Sequence, residues 1–143
     1  MKIYLSGAIR GGRELQNNYQ IIHDYLKENG HEILTYHVAS PNVLEIEKSI
    51  PDVEIYTQDI KWIQECDTLV AEVSVPSTGV GYEIAYALSI DKPVLAMYEE
   101  NRTISAMISG NTSPYLTLHS YHSIPRLLFH IKAFLSFLSN ENA

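Results

Sequence analysis

Short runs of β-forming residues alternate with stretches of helical periodicity from one end of the chain to the other, which makes an open parallel sheet with helices on both faces the natural fold. The strand-like runs fall at residues 2–6, 32–36, 68–73, 93–97 and 115–119. Helical spacing marks residues 12–29, where Leu15, Tyr19, Ile22 and Leu26 recur on one face and Gly30 supplies a C-terminal stop. Further helices are expected between Pro51 and Cys66, between Gly79 and Ile90, in a short piece at residues 103–108, and at residues 123–138. In the last of these Pro125 sits in the first turn, where its missing N–H costs nothing. Five strands suffice for a small doubly wound α/β fold. With 143 residues and 45% apolar content, the chain can bury the core of a single domain spanning residues 1–143.

Ligands of such sheets bind at the carboxyl ends of the strands, where the loops part. Of seven glycines, five lie in two strand-to-helix turns: Gly7, Gly11 and Gly12 after the first strand, Gly79 and Gly81 after the third. The first loop, Ser6-Gly7-Ala8-Ile9-Arg10-Gly11-Gly12-Arg13, is neither G-x-G-x-x-G nor a P-loop, which disfavours nicotinamide and ATP. Its arginines either hold a phosphate or are surface residues of a solvated loop. In the second turn, Pro76-Ser77-Thr78-Gly79-Val80-Gly81-Tyr82-Glu83, the Ser77 hydroxyl and the N–H groups of Gly79 and Gly81 suit a phosphate. Glu83 is expected on the first turn of its helix, held ionised by the helix dipole and ready to act as nucleophile or base. The alternative is an ordinary glutamate that stabilises its own helix.

Asp59 falls with Ile55, Trp62 and Cys66 on one otherwise apolar helical stripe. Burial there would raise its pKa into the range of a proton carrier; a helix rotated by one position would leave it partly exposed. Tyr4, in the first strand, either orients a carboxylate at the same sheet edge or simply packs. The six histidines show no metal-ligand spacing, and no metal or cofactor is expected. Ten basic against seventeen acidic residues give a net charge of −7, which repels a nucleic acid polymer and points to a small phosphorylated ligand. The single cysteine, Cys66, excludes an internal disulfide. The chain opens directly on a strand-like run, with no signal-peptide pattern and no run of membrane-spanning length, so a cytoplasmic protein is expected.

Four segments, in order and at compatible spacing, carry a family resemblance: residues 4–14, Asp59-Ile60-Lys61-Trp62, residues 71–83, and Ser105-Ala106-Met107-Ile108. Together they resemble the 2′-deoxynucleoside 5′-monophosphate N-glycosidases of the nucleoside 2-deoxyribosyltransferase superfamily. The resemblance implies a flavodoxin-like parallel sheet, a homodimer, and hydrolysis of the bond between base and deoxyribose. It implies Glu83 as the nucleophile on the anomeric carbon, Asp59 as the acid that helps the base leave, and Tyr4 as the residue that positions the nucleophile. Ser77 and Gly79 match the phosphate turn, Gly7, Ile9, Arg10 and Gly11 the loop around the nucleotide, and Ser105 a serine that reaches the phosphate across the dimer. Ser109 departs from the pattern, standing where relatives carry an arginine. Three alternatives stay open: a deoxyribosyltransferase that exchanges bases, an N-glycosidase of a modified ribonucleotide, and a nucleotide sensor without turnover.

Overall fold

The alternating pattern resolves into five parallel strands: β1 (Lys2–Ser6), β2 (Glu32–Ile33), β3 (Thr68–Glu72), β4 (Val94–Glu99) and β5 (Leu116–Tyr121). A computed structural model describes residues 1–10 and 12–141. The strands lie in the order β2-β1-β3-β4-β5, all parallel. Between and after them run α1 (Gln16–Glu28), α2 (Val43–Lys48), α3 (Asp52–Glu65), α4 (Thr78–Ser89), α5 (Ala106–Ser109) and α6 (Ile124–Glu141).

Strand side chains alternate between the two faces, and two separate cores result. Ile3, Leu5, Val70, Leu95 and Met97 pack against Tyr19, Ile22 and Leu26 of α1 and Leu127, Ile131 and Leu135 of α6. Tyr4, Leu69, Ala71, Val94 and Ala96 pack on the opposite face against Ile63 of α3 and Ile84 and Ala87 of α4. Each central strand is therefore apolar on both faces through its middle, as expected for a sheet covered on both sides. Strand order reverses between β1 and β3, so their carboxyl ends open a crevice into which Tyr4 and Ser6 project on the α3/α4 side.

Helix α2 is not among the expected helices, α5 is shorter than the expected 103–108 piece, and two further departures shape the edge of the sheet. The second strand stops at Ile33 instead of continuing through residue 36, because the Thr35 side chain takes over the ladder: Leu5 N–H donates to Thr35 Oγ1 at 2.8 Å, and that hydroxyl donates to Leu5 C=O at 2.6 Å. The first helix starts at Gln16 and not at residue 12. Gly12 holds φ at +139°, outside helical geometry. The Arg13 guanidinium donates to the carbonyls of Ala8, Val38 and Ser40 at 3.0, 2.9 and 2.8 Å, folding these residues into a strap between two loops. Gly7 is required by close approach, since a Cβ there would stand 2.9 Å from the Tyr19 ring.

The Thr35 arrangement gives a direct test. Thr35→Val keeps the shape and leaves a buried N–H and C=O of Leu5 unpaired, so it should cost about 2–4 kcal/mol of stability, read as a lower urea midpoint at unchanged slope.

Candidate active site

At the β1/β3 crevice a cleft of about 590 Å³ is lined on one side by Gly7, Ile9 and Arg10 and on the other by Ser77, Gly79 and Glu83, with Asp59 between them. Three elements thus converge. The β1–α1 loop brings the first group, the start of α4 the second, and the stripe of α3 the third. Tyr4 lies behind this surface, 1% exposed. Gly11 lies outside the described residues.

Glu83 is held from one side. Ser6 Oγ donates to its Oε2 at 2.7 Å, and the Tyr4 phenol also bears on the carboxylate as a hydrogen-bond donor. Its other oxygen, Oε1, faces the helix start, 3.9 Å from where a Cβ at Gly79 would stand, itself 3.9 Å from Ser77 Oγ. A Cβ at position 79 would stand in ordinary contact with both groups, between the carboxylate and the turn. Ser77 caps α4, accepting from Val80 N–H at 3.3 Å. The N–H groups of Thr78 and Gly79, first in the helix, have no intrahelical carbonyl to meet and point their partial positive charge outward.

The expectation that Glu83 stands on the first turn is not met. Helix α4 begins at Thr78, its first turn holds no acid, and Glu83 sits one turn further along, beyond the range over which the helix end stabilises a charge. Burial instead dominates and pushes the carboxyl up to about 8; the Ser6 hydrogen bond opposes the shift, and the charge of Asp59 adds to it. Asp59 is half-buried on α3, and burial, reinforced by the charge of Glu47, lifts its carboxyl to about 6. Burial of Tyr4, with the Glu83 charge beside it, raises its phenol well above the usual range, so it stays a donor.

The two arginines of the first loop are already paired, Arg10 within the cleft itself. Arg13 serves the strap described above. Arg10 pairs through Nη2 with Asp52 Oδ1 at 3.0 Å and through Nε with Glu47 Oε1 at 3.5 Å. The ligand-free cleft therefore presents phosphate with helix N–H groups and a hydroxyl, its arginine already paired. Ser105 is separate: it caps α5, accepting from Met107 N–H at 3.2 Å. It lines a neighbouring groove of about 620 Å³ that shares Ser77, Thr78 and Val80 with the cleft. Among the described residues no group of three or more His, Cys, Asp or Glu could hold a metal ion, and no helix is long and apolar enough to cross a membrane.

Sequence reasoning missed three contributors. Ser6 stands at the head of the first loop motif, and its alternation with Tyr4 along β1 is the signal that both face the same side. Glu47 belongs to α2, a helix too short to show periodicity. Glu72, fully buried at the end of β3, accepts from Ser74 N at 2.6 Å, from Ser74 Oγ at 3.0 Å and from the Tyr121 hydroxyl. Ser74 Oγ in turn accepts from Glu99 N at 2.8 Å. This network fixes the chain where it enters the Pro76-Ser77 turn.

The model of the nucleoside 2-deoxyribosyltransferase family matches residues 3–119. A Methanosarcina barkeri protein, provisionally named 2′-deoxynucleoside 5′-phosphate N-hydrolase 1, is 46% identical over 120 residues, 84% of this chain and 76% of that protein. The 5-hydroxymethyl-dUMP N-hydrolase of Rattus norvegicus is 43% identical over 112 residues, 76% of this chain and 68% of that protein. Among solved structures, the Clostridium botulinum CMP N-glycosidase BcmB superimposes with a TM-score of 0.70 at 20% identity, covering 94% of this chain and 99% of that one. That likeness supports the fold.

The burial of Glu83 has a measurable cost. Its carboxyl moves from an ordinary 4.5 to about 8 on folding, so between those values the folded chain binds a proton that the unfolded chain has lost. Stability therefore falls as pH rises through this window and levels off above it. Glu83→Gln removes the loss: its melting temperature should exceed that of the parent at pH 8 and approach it near pH 4.5, followed by thermal unfolding across the range.

Proposed function

The chain belongs to the nucleoside 2-deoxyribosyltransferase family, and from that membership we propose that it hydrolyses the N-glycosidic bond of 2′-deoxynucleoside 5′-monophosphates, giving free base and 2-deoxyribose 5-phosphate. The observation that carries the reading is the Glu83 carboxylate, gripped through Oε2 by Ser6, with Oε1 facing the Ser77 and Gly79 turn. A phosphate seated on that turn sets the sugar's anomeric carbon against the carboxylate. Its binding energy, remote from the reacting bond, goes into orientation.

In the proposed reaction Glu83 attacks C1′ as the bond to the base breaks. The bonding electrons leave with the base, which takes a proton from Asp59. The sugar passes through oxocarbenium character to a glycosyl ester on Glu83, as in retaining glycosidases. Asp59, now ionised, removes a proton from water; the oxygen attacks C1′ and the ester bond breaks, restoring the Glu83 carboxylate. Tyr4 and Ser6 hold the nucleophile and stabilise its charge when it is released.

We place the enzyme in the cytoplasm as a homodimer. Tyr82 and Met107, 52% and 80% exposed, line the groove beside the phosphate turn, and a second copy docked there would carry its own serine 105 toward the phosphate.

The test incubates the protein with deoxynucleoside and ribonucleoside monophosphates and the matching nucleosides, with and without an acceptor base, and follows free base by chromatography. Release from deoxynucleoside monophosphates without acceptor is expected, and Glu83→Ala should lower it by at least about a thousandfold, in line with loss of a covalent nucleophile. The pH profile of kcat/KM should be bell-shaped with limbs near 6 and 8, where Asp59 and Glu83 titrate. Base exchange that requires an acceptor would identify a transferase instead.

A further inference from the structure

The cleft continues past Asp59. A second hollow of about 250 Å³ opens there, walled by Ile46, Ile50 and Trp62, with Gln58 at its edge. Glu47, Ile55 and Asp59 line both spaces and form the passage between them. On the hydrolase reading, phosphate occupies the Ser77 turn and C1′ lies at Glu83. The base must therefore extend toward Asp59, its proton source, and onward into this hollow. Apolar walls suit the flat faces of a base; what they leave unsatisfied is its polar edge.

Glu47 meets that edge. It is 8% exposed on α2, a depth at which a carboxylate needs partners. Arg10 Nε meets its Oε1 at 3.5 Å, while Nη2 binds Asp52 more closely, at 3.0 Å. Among the described residues no buried side-chain oxygen lacks a partner, so Glu47 Oε2, to which none of them donates, keeps some access to open space. Asp52 alone can anchor the guanidinium, so pairing with Arg10 does not account for burying a second acid at the mouth of the hollow.

We propose that Glu47 is the specificity-determining residue for the base, accepting a hydrogen bond from an exocyclic donor, an amino or hydroxymethyl group, and discriminating against bases that present only a carbonyl oxygen there. The inference rests on the hydrolase reading for the direction in which the base lies. Its chemistry is that of carboxylates that accept from the cytosine amino group. A carbonyl facing Glu47 would leave two buried acceptors opposed and unpaired, and a site built to hydrogen-bond one group rejects the analogue that lacks it more strongly than apolar contact can.

Binding to the Glu83→Gln protein separates this from catalysis. Titration calorimetry would compare dCMP and 5-hydroxymethyl-dUMP with dUMP, which matches each but lacks the donor. At least one should bind about tenfold or more tightly than dUMP, and adding Glu47→Gln, which can offer an N–H to a carbonyl, should erase that margin. Equal affinity for all three, or a margin that survives Glu47→Gln, overturns the proposal; the first comparison needs no change at Glu47 and so does not depend on that variant folding. Selective binding by Glu83→Gln without base release by the parent protein would sink the hydrolase reading and leave base recognition by Glu47 standing. Absence of binding by any of the three would sink both.

Discussion

A single hydrogen bond across the sheet's switch point, from Ser6 Oγ to Glu83 Oε2 at 2.7 Å, joins the two halves of the site. Ser6 ends β1, and Glu83 stands on the helix that follows β3. The two meet only because β1 and β3 are neighbours although the chain between them runs through β2 and three helices. Order reversal parts the loops and exposes the carboxylate; the serine fixes which oxygen is held and which is presented. The packing of Tyr4 with Ile84, the closeness of Gly7 to Tyr19 and the Glu72 network serve the same geometry from different sides. They stop either loop from drifting.

Desolvation is the dominant electrostatic fact at the centre. On the proposed reaction the nucleophile must be ionised, yet burial lifts Glu83 to about 8 while Asp59 reaches only about 6. Near neutrality the pair mostly holds one proton, and most of it sits on Glu83. The productive arrangement for glycoside cleavage is the reverse, with Glu83 charged and the proton on Asp59. Moving the proton from Glu83 to Asp59 is uphill by the gap between the two values, although it leaves the total charge of the cleft unchanged. Ser6 and Tyr4 favour the charged form of Glu83 at the moment the proton leaves it. A poorly solvated carboxylate, once ionised, is also the stronger nucleophile.

Much of this could be read from the sequence where the signal was local. The bounds of β1 match the strand-like run to the residue, and the acid on the apolar stripe of α3 is the one that lines the cleft, since periodicity reports which side chains share a face. The length of β2 was not legible: Thr35 looks like any strand threonine until its hydroxyl is seen serving Leu5, thirty residues away. Arg10 illustrates the same limit, because its partners Glu47 and Asp52 are distant in the chain and one lies on a six-residue helix framed by Pro41 and Pro51. The protonation of Glu83 departs from the expectation although α4 begins within one residue of where the spacing places it, because burial and not the helix end sets it. Local patterns gave the identity of the groups, whereas their charge states depended on burial set by contacts across the fold.

The distribution of charge suggests how an acidic cleft can accept a phosphorylated substrate and still favour its reaction. Glu47, Asp59 and Glu83 line the cleft together, and Arg10 is balanced by Asp52 and Glu47. Phosphate is left to the N–H groups and hydroxyl at the head of α4, a dipolar cradle that does not neutralise the neighbouring carboxylates. On the proposed reaction the ground state brings negative charge into negative surroundings, which opposes binding. As the base departs, positive charge grows on the sugar between Glu83 and Asp59, and the same surroundings become attractive. The field thus opposes the bound nucleotide and supports the oxocarbenium-like state. A free arginine at the cleft would strengthen the first interaction and weaken the second, so pairing Arg10 away from the sugar serves the difference between them, which is what determines the rate.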